Sequence, residues 1–168
     1  MNLARSDRLS EDATWDKEKG EIRISGERHV AVDAQSLCDF LDSLVGLQVA
    51  EVIMHNLEYR LGKAEAKRFK EKNPQASVKE LTDHFVEADR LSGMGITKTT
   101  WTPNPQALLV EVANPATRGH AGASKSFIFS WWAGALSWHT GKEFDLNSIV
   151  YDEKANIVRG TLVERRLK

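Results

Sequence analysis

Between Ala121 and His139 the chain offers almost no polar face. A helix of that composition is enclosed by the rest of its domain, so the remaining elements must be arranged around it. Its heart, Ser124 to Trp138, carries three of the five tryptophans together with Phe127 and Phe129. At helical spacing Phe127, Trp131, Ala135 and Trp138 share one face. A separate seam is small throughout: Gly122, Ser126, Ser130, Gly134 and Ser137. Such a seam lets another backbone, or a ligand, come close. Aromatics beside it can wall a pocket for a planar or hydrocarbon molecule. They can equally be plain core, with the seam seating a neighbouring helix or sheet, and the residues leave both readings open.

The flanking segments supply helices first and strands afterwards. Met1 to Gly20 reads as a polar arm in which Leu3, Leu9 and Trp15 are the few apolar handholds, and residues 21–168 as a single domain. Glu21 to Ser25 and His29 to Val32 are short extended pieces around Gly26. Asp33 is placed to cap a helix carrying Leu37, Leu41 and Leu44, widened by Phe40 and Val45 and ended by Gly46. A longer helix follows with Val49, Val52, Ile53, Leu57, Leu61 and Ala64 on one face. Its charged far end, Lys63 to Lys72, is expected in water, and Asn73-Pro74 stops it. Ser77 and Glu80 form a capping box for a third helix. Its buried face is Leu81, Phe85, Ala88 and Leu91, with Glu80, Asp83, Glu87 and Asp89 elsewhere. Ile96–Trp101 and Ala107–Ala113 read as a hairpin across Thr102 to Pro105, and Phe144–Tyr151 with Ile157–Arg165 as a second. Clustered strands favour an α+β fold, with an antiparallel sheet, several helices and one central buried helix.

Chemistry-bearing motifs are few. Cys38 is the only cysteine, which excludes an intrachain disulfide and a multi-thiolate metal site. It reads as an inert buried thiol beside the first helix's apolar stripe. His84 with Glu87, and His55 with Glu58, each offer two ligands one turn apart, whereas zinc needs at least three, so solvated helix faces are preferred. No nucleophile elbow, phosphate loop or dinucleotide fingerprint occurs. The net charge of −1 gives no cause to expect nucleic acid, and the basic run Lys63 to Lys72 is interleaved with Glu65 and Glu71. No stretch has the apolar length of a membrane span, and nothing near Met1 resembles a signal peptide, so the expected address is cytoplasmic. Two polar residues draw notice as ligand contacts: Arg60, bordering the stripe near Leu57 and Leu61, and His120, set in a glycine-flanked loop.

Several pieces together resemble the 4-vinyl reductase domain family. They are Arg23-Ile-Ser-Gly-Glu-Arg-His29 and the leucine helix behind it, Gly46-Leu-Gln-Val-Ala-Glu-Val-Ile-Met54 with Gly62, Ala133-Gly-Ala-Leu-Ser137 with Gly141, and Gly160 in the closing hairpin. The resemblance covers roughly Glu21 to Glu164. It implies a fold shared with haem nitric-oxide-binding and transport-particle domains, and a sensory domain for small hydrophobic molecules, often dimeric. Many members carry cysteines that help to hold zinc; here the corresponding places are Ser126, Ala155 or Asn156, and Val163, so no metal is expected. A fainter resemblance to aminothiazoline-carboxylate hydrolases meets the same lack of cysteines.

The reading is therefore a small-hydrophobic-molecule-binding domain without catalytic residues, metal or cofactor. Its ligand contacts would be Phe127, Trp131, Trp132, Trp138, Arg60 and His120. The alternatives are a homodimeric interaction protein that uses the small-residue seam, and a hydrolase- or reductase-like enzyme.

Overall fold

The computed structural model describes residues 13–16, 21–24, 27–29, 32–103, 106–118 and 121–165. The chain divides into two compact units, Met1–Asp33 and Ala34–Lys168. The first holds three short antiparallel strands, β1 (Ala13–Asp16), β2 (Glu21–Ile24) and β3 (Glu27–His29), in the order β1-β2-β3. β1 falls within the stretch expected as a polar arm, with Trp15 opposite Ile22 in the register.

The second unit is an α+β domain, as the clustering of strands required. It runs α1 (Ala34–Val45), α2 (Leu47–Lys72), α3 (Val78–Ser92), β4 (Ile96–Pro103), β5 (Gln106–Ala113), α4 (Gly122–Phe127), α5 (Phe129–Thr140), β6 (Phe144–Asp152) and β7 (Ile157–Glu164). The four strands form one antiparallel sheet in the order β4-β5-β7-β6, with an irregularity in the β6–β7 register between Leu146 and Ser148. Both expected hairpins are present, and no helix among the described residues is long and apolar enough to cross a membrane.

Local chemistry sets the boundaries. Glu80 N–H donates to the Ser77 hydroxyl at 3.3 Å while the Glu80 carboxylate accepts from Ser77 N–H at 2.8 Å, so the capping box starts α3. Gly93 ends the same helix in the left-handed region at φ 76°, where a side chain would be strained. Asn73 closes α2 immediately before Pro74.

The segment expected as one enclosed helix is two, α4 and α5, meeting at Ile128. Enclosure holds for both. Phe129, Trp132 and Leu136 of α5 join Leu108, Val110 and Val112 of β5 and Val158 and Leu162 of β7 in the main core. Gly160 on β7 is the seat of one ring: a Cβ there would meet Phe129 carbons at 2.3 to 2.8 Å. On its other side α5 lies against α2, backbone to backbone. A Cβ on Gly134 would stand 2.0 Å from the Tyr59 carbonyl oxygen, and one on Gly62 would stand 1.9 Å from that of Trp131. The small-residue seam thus seats α2, and His55 Nδ1 shares a 2.8 Å hydrogen bond with the Ser130 hydroxyl along it.

This close crossing decides which way α2 faces. Its buried line is Ala50, Met54, Glu58, Gly62 and Ala66, mostly small residues at four-residue steps. The apolar stripe read from the sequence points outward instead, with Val49, Val52, Ile53, Leu57 and Leu61 between 42% and 59% exposed. Phe40 and Leu44 of α1 are likewise exposed, while Leu37, Leu41 and Val45 pack on a small second core of Cys38, Ala50, Met54 and Ala123. The end of α2 is less free than its charges suggest. Ala66 is fully buried, and Glu65 is engaged by Arg68 and His84.

Candidate functional site

Phe85, Trp131 and Trp132 form an aromatic group where α3 meets α5. The Phe85 centroid lies 4.9 Å from that of Trp131 and 5.4 Å from that of Trp132. Phe85 is there because α3 buries Leu81 and Phe85, one turn apart, against the central helix. The next position on that line is Asp89, a carboxylate only 1% exposed. Thr97 Oγ1 donates to its Oδ2 at 2.7 Å and Trp132 Nε1 donates to the same oxygen at 3.0 Å. Among the described residues no hydrogen bond reaches Oδ1. Burial raises the Asp89 pKa to about 6, against the opposing pull of those two donors.

A second unspent polar group sits in the cluster. Trp131 Nε1 is buried and has no acceptor among the described residues. A buried donor without a partner costs on the order of 1–3 kcal/mol, so among the described residues the cluster carries one unused donor inside an apolar wall. Asp89 is the residue that the sequence reading missed: it was assigned to the polar side of α3. The signal was available, since Leu81, Phe85 and Asp89 are spaced by four and so fall on one helical line.

The other candidates are dispersed. Trp132 is in the cluster with its indole nitrogen committed to Asp89. Phe127, half-buried at the end of α4, packs against both cores. Trp138 is 37% exposed near the end of α5. Arg60 is exposed on α2, whose Gly62 meets Trp131. His120 lies outside the described residues. Two open clefts occur elsewhere in the unit. One, of about 500 Å³, is lined by Phe69, Asn73 to Ala76, Glu80 and Asp83; another, of about 260 Å³, by Gln35, Pro115 to Arg118, Tyr151 and Asn156. None of the tryptophans of α5 lines either.

Three other titratable groups are held by their surroundings. His84 Nε2 donates to the Glu65 carboxylate at 2.9 Å, and its ring stacks on Phe69 at 4.6 Å. With Arg68 it holds the Glu65 carboxyl down at about 2. Glu58, 8% exposed on the buried line of α2, is raised to about 7 by burial. Cys38 is fully buried, and its thiol is pushed up to about 12 by burial, with the Asp42, Asp39 and Glu58 carboxylates adding to the effect. Such a thiol is not a nucleophile at neutral pH. No group of three or more His, Cys, Asp or Glu side chains suited to a metal occurs among the described residues.

Comparison with known proteins adds the wider context. The sequence profile of a family described as "activator of aromatic catabolism" (XylR_N) matches residues 8–102. In structure the chain is similar to the phenol-responsive sensory domain of the transcription activator PoxR, solved with phenol. The TM-score is 0.70 at 11% identity, over 91% of this chain and 84% of that one. At that identity the likeness speaks for the fold. No curated protein matches the chain in sequence. The matching family is not the 4-vinyl reductase family that Gly46–Met54 and Ala133–Ser137 resemble; what the two readings share is a ligand-binding sensory fold.

Proposed function

The chain belongs to the family of activators of aromatic catabolism, and on that premise we propose that its Ala34–Lys168 unit senses a small hydroxylated aromatic compound held between α3 and α5. The functional class read from the sequence, a sensory domain for small hydrophobic molecules, is the one that this family carries. One observation supports the location above all: Asp89, buried to 1% exposure beside aromatic rings, with both of its hydrogen bonds from the described residues made to Oδ2. A phenolic hydroxyl is both a donor and an acceptor. It matches the unused Asp89 oxygen and the unused Trp131 N–H, while Phe85 and Trp131 supply ring faces for the aromatic body. That the structural neighbour is described as phenol-responsive supports the same ligand chemistry.

Of the residues named from the sequence, this reading retains Trp131 and Trp132 at the ligand and gives Phe127 a supporting place behind them. Arg60 and Trp138 have no part in it, and His120 lies outside the described residues. The cluster is packed, so a ligand enters by parting the Phe85 and Trp131 rings. A catabolic activator meets its inducer inside the cell, which supports a cytoplasmic address. The likeness to 4-vinyl reductase domains stays within the proposal as a kinship of fold between sensory families.

Isothermal titration with phenol and with toluene tests the assignment. Phenol is expected to bind and toluene to bind more weakly, because only phenol spends both polar groups. Asp89→Asn keeps an acceptor for Thr97 and Trp132, and Trp131→Phe keeps the ring while removing the donor. Each should weaken phenol binding by about 1–2 kcal/mol and leave toluene nearly unaffected. Equal affinity for phenol in the native chain and in both variants would remove the site.

A further inference from the structure

We infer that the proton on Asp89 chooses the chemical class of ligand: phenols while the carboxyl is ionised, aromatic ketones and aldehydes while it is protonated. The inference rests on the ligand site assigned above and names a second class of compound for it. Its foundation is the way the carboxyl is held. Thr97 Oγ1 at 2.7 Å and Trp132 Nε1 at 3.0 Å both donate to Oδ2. Those two bonds spend both lone pairs of that oxygen, so the acid form must carry its proton on Oδ1.

The two forms of Asp89 therefore differ at one atom. Ionised, Oδ1 only accepts a hydrogen bond; protonated, it donates one. Trp131 Nε1, buried without an acceptor among the described residues, donates in either case. A phenol presents a donor and an acceptor on one oxygen and so pairs with the ionised form. An aromatic ketone or aldehyde presents an acceptor alone. It accepts from Trp131 and from the protonated acid, whereas against the carboxylate its oxygen meets another lone pair. A buried polar group left without a partner is penalised more heavily than a bond is rewarded, so the mismatched ligand is the one rejected. The ring faces of Phe85 and Trp131 serve both classes alike.

Asp89 changes form within an accessible pH range. It is 1% exposed, and burial lifts its pKa to about 6 against the pull of its two donors. Thr97 of β4 and Trp132 of α5 face it, and neither side chain titrates between about pH 5 and 8. On its own helix the neighbouring charges, Glu87 and Arg90, are paired with each other and half-exposed. Among the described residues no charge adds to the shift, so the change of class follows the Asp89 proton.

Isothermal titration of the full chain with phenol and with acetophenone, at about pH 5 and about pH 7.5, tests the inference. A phenolic hydroxyl ionises only near about pH 10, so neither probe titrates. From the population of each form at a pKa of about 6, phenol should bind roughly tenfold more weakly at the lower pH, and acetophenone roughly thirtyfold more tightly. Each compound is compared with itself, so their difference in size cancels. Two variants identify the residue. Asp89→Asn sets its carbonyl under Thr97 and Trp132 and its amide N–H in the place of Oδ1, which fixes the donating form. Acetophenone should then be preferred at both pH values, with no pH dependence for either probe. Thr97→Val removes a donor that pulls the pKa down and should move the crossover to higher pH, whereas loosened packing alone would weaken both probes without moving it. Native phenol and acetophenone affinities that are flat with pH, or that change in the same direction, overturn the inference and leave the ligand site standing. Binding of neither compound at either pH overturns both.

Discussion

Gly134→Ala is the substitution that most directly questions the central packing. Its Cβ would stand 2.0 Å from the Tyr59 carbonyl oxygen, and ordinary contact begins at 3.4 Å, so α2 and α5 must open by about 1.4 Å. Neither side can yield by changing rotamer, because both atoms belong to backbone. A gap of 0.5–1 Å already forfeits a quarter to a half of the contact attraction across an interface. Overpacking of a core costs about 1–3 kcal/mol, and a backbone clash belongs at the upper end. Alanine recovers about 1 kcal/mol through its helix propensity, leaving a net loss of about 2 kcal/mol. For a chain of this size that is a fall in Tm of roughly 4–8 °C. Gly62→Ala, facing Trp131 at 1.9 Å, should cost a similar amount. The pair should cost less than the sum of the singles, since one opening accommodates both methyl groups. Urea unfolding at fixed protein concentration measures all four chains. A Gly134→Ala midpoint equal to or above that of the native protein would refute the backbone contact, as would strict additivity of the pair.

Two further outcomes follow from buried groups. Asp89 has its pKa raised from 3.8 to about 6, so the folded chain binds more protons than the unfolded one between those values. Its contribution is therefore fully present below about pH 4 and lost as pH rises through 6. The loss is on the order of 3 kcal/mol, and Asp89→Asn should remove this slope from the difference in urea stability between variant and native protein; a parallel pair of curves from pH 4 to 7 would contradict it. Cys38, fully buried with its pKa at about 12, should react with a thiol reagent at pH 8 only as fast as the protein unfolds. Rapid stoichiometric labelling of the native chain would contradict its placement.

What the sequence disclosed was mainly what is decided locally. The Ser77–Glu80 cap, the stop at Asn73-Pro74 and the two hairpins rest on chemistry within a few residues, and each stands where expected. The small seam of α5 also announced a close neighbour correctly, because room without side chains has few other uses. Its partner on α2 was hidden by the habit of burying large residues first. Ala50, Gly62 and Ala66 line the contact, while Ile53, Leu57 and Leu61 face outward, and hydrophobicity alone cannot say which of two faces meets the same chain. Asp89 was passed over for the converse reason. An acid was assigned to water although it continues the line of Leu81 and Phe85, and only the fold brings Thr97 and Trp132 to it.

The Phe129 ring resting where Gly160 has no side chain bears on how such a chain can diverge. The space at that point is a fixed sum shared by a strand and a helix far apart in sequence. A larger residue on β7 is tolerable only if α5 gives up its ring, and a smaller residue at 129 invites one at 160. Relatives that drift here are constrained to drift in both places together. What descends at such a point is a volume divided between two residues, which lets an architecture outlast most of the letters that first encoded it.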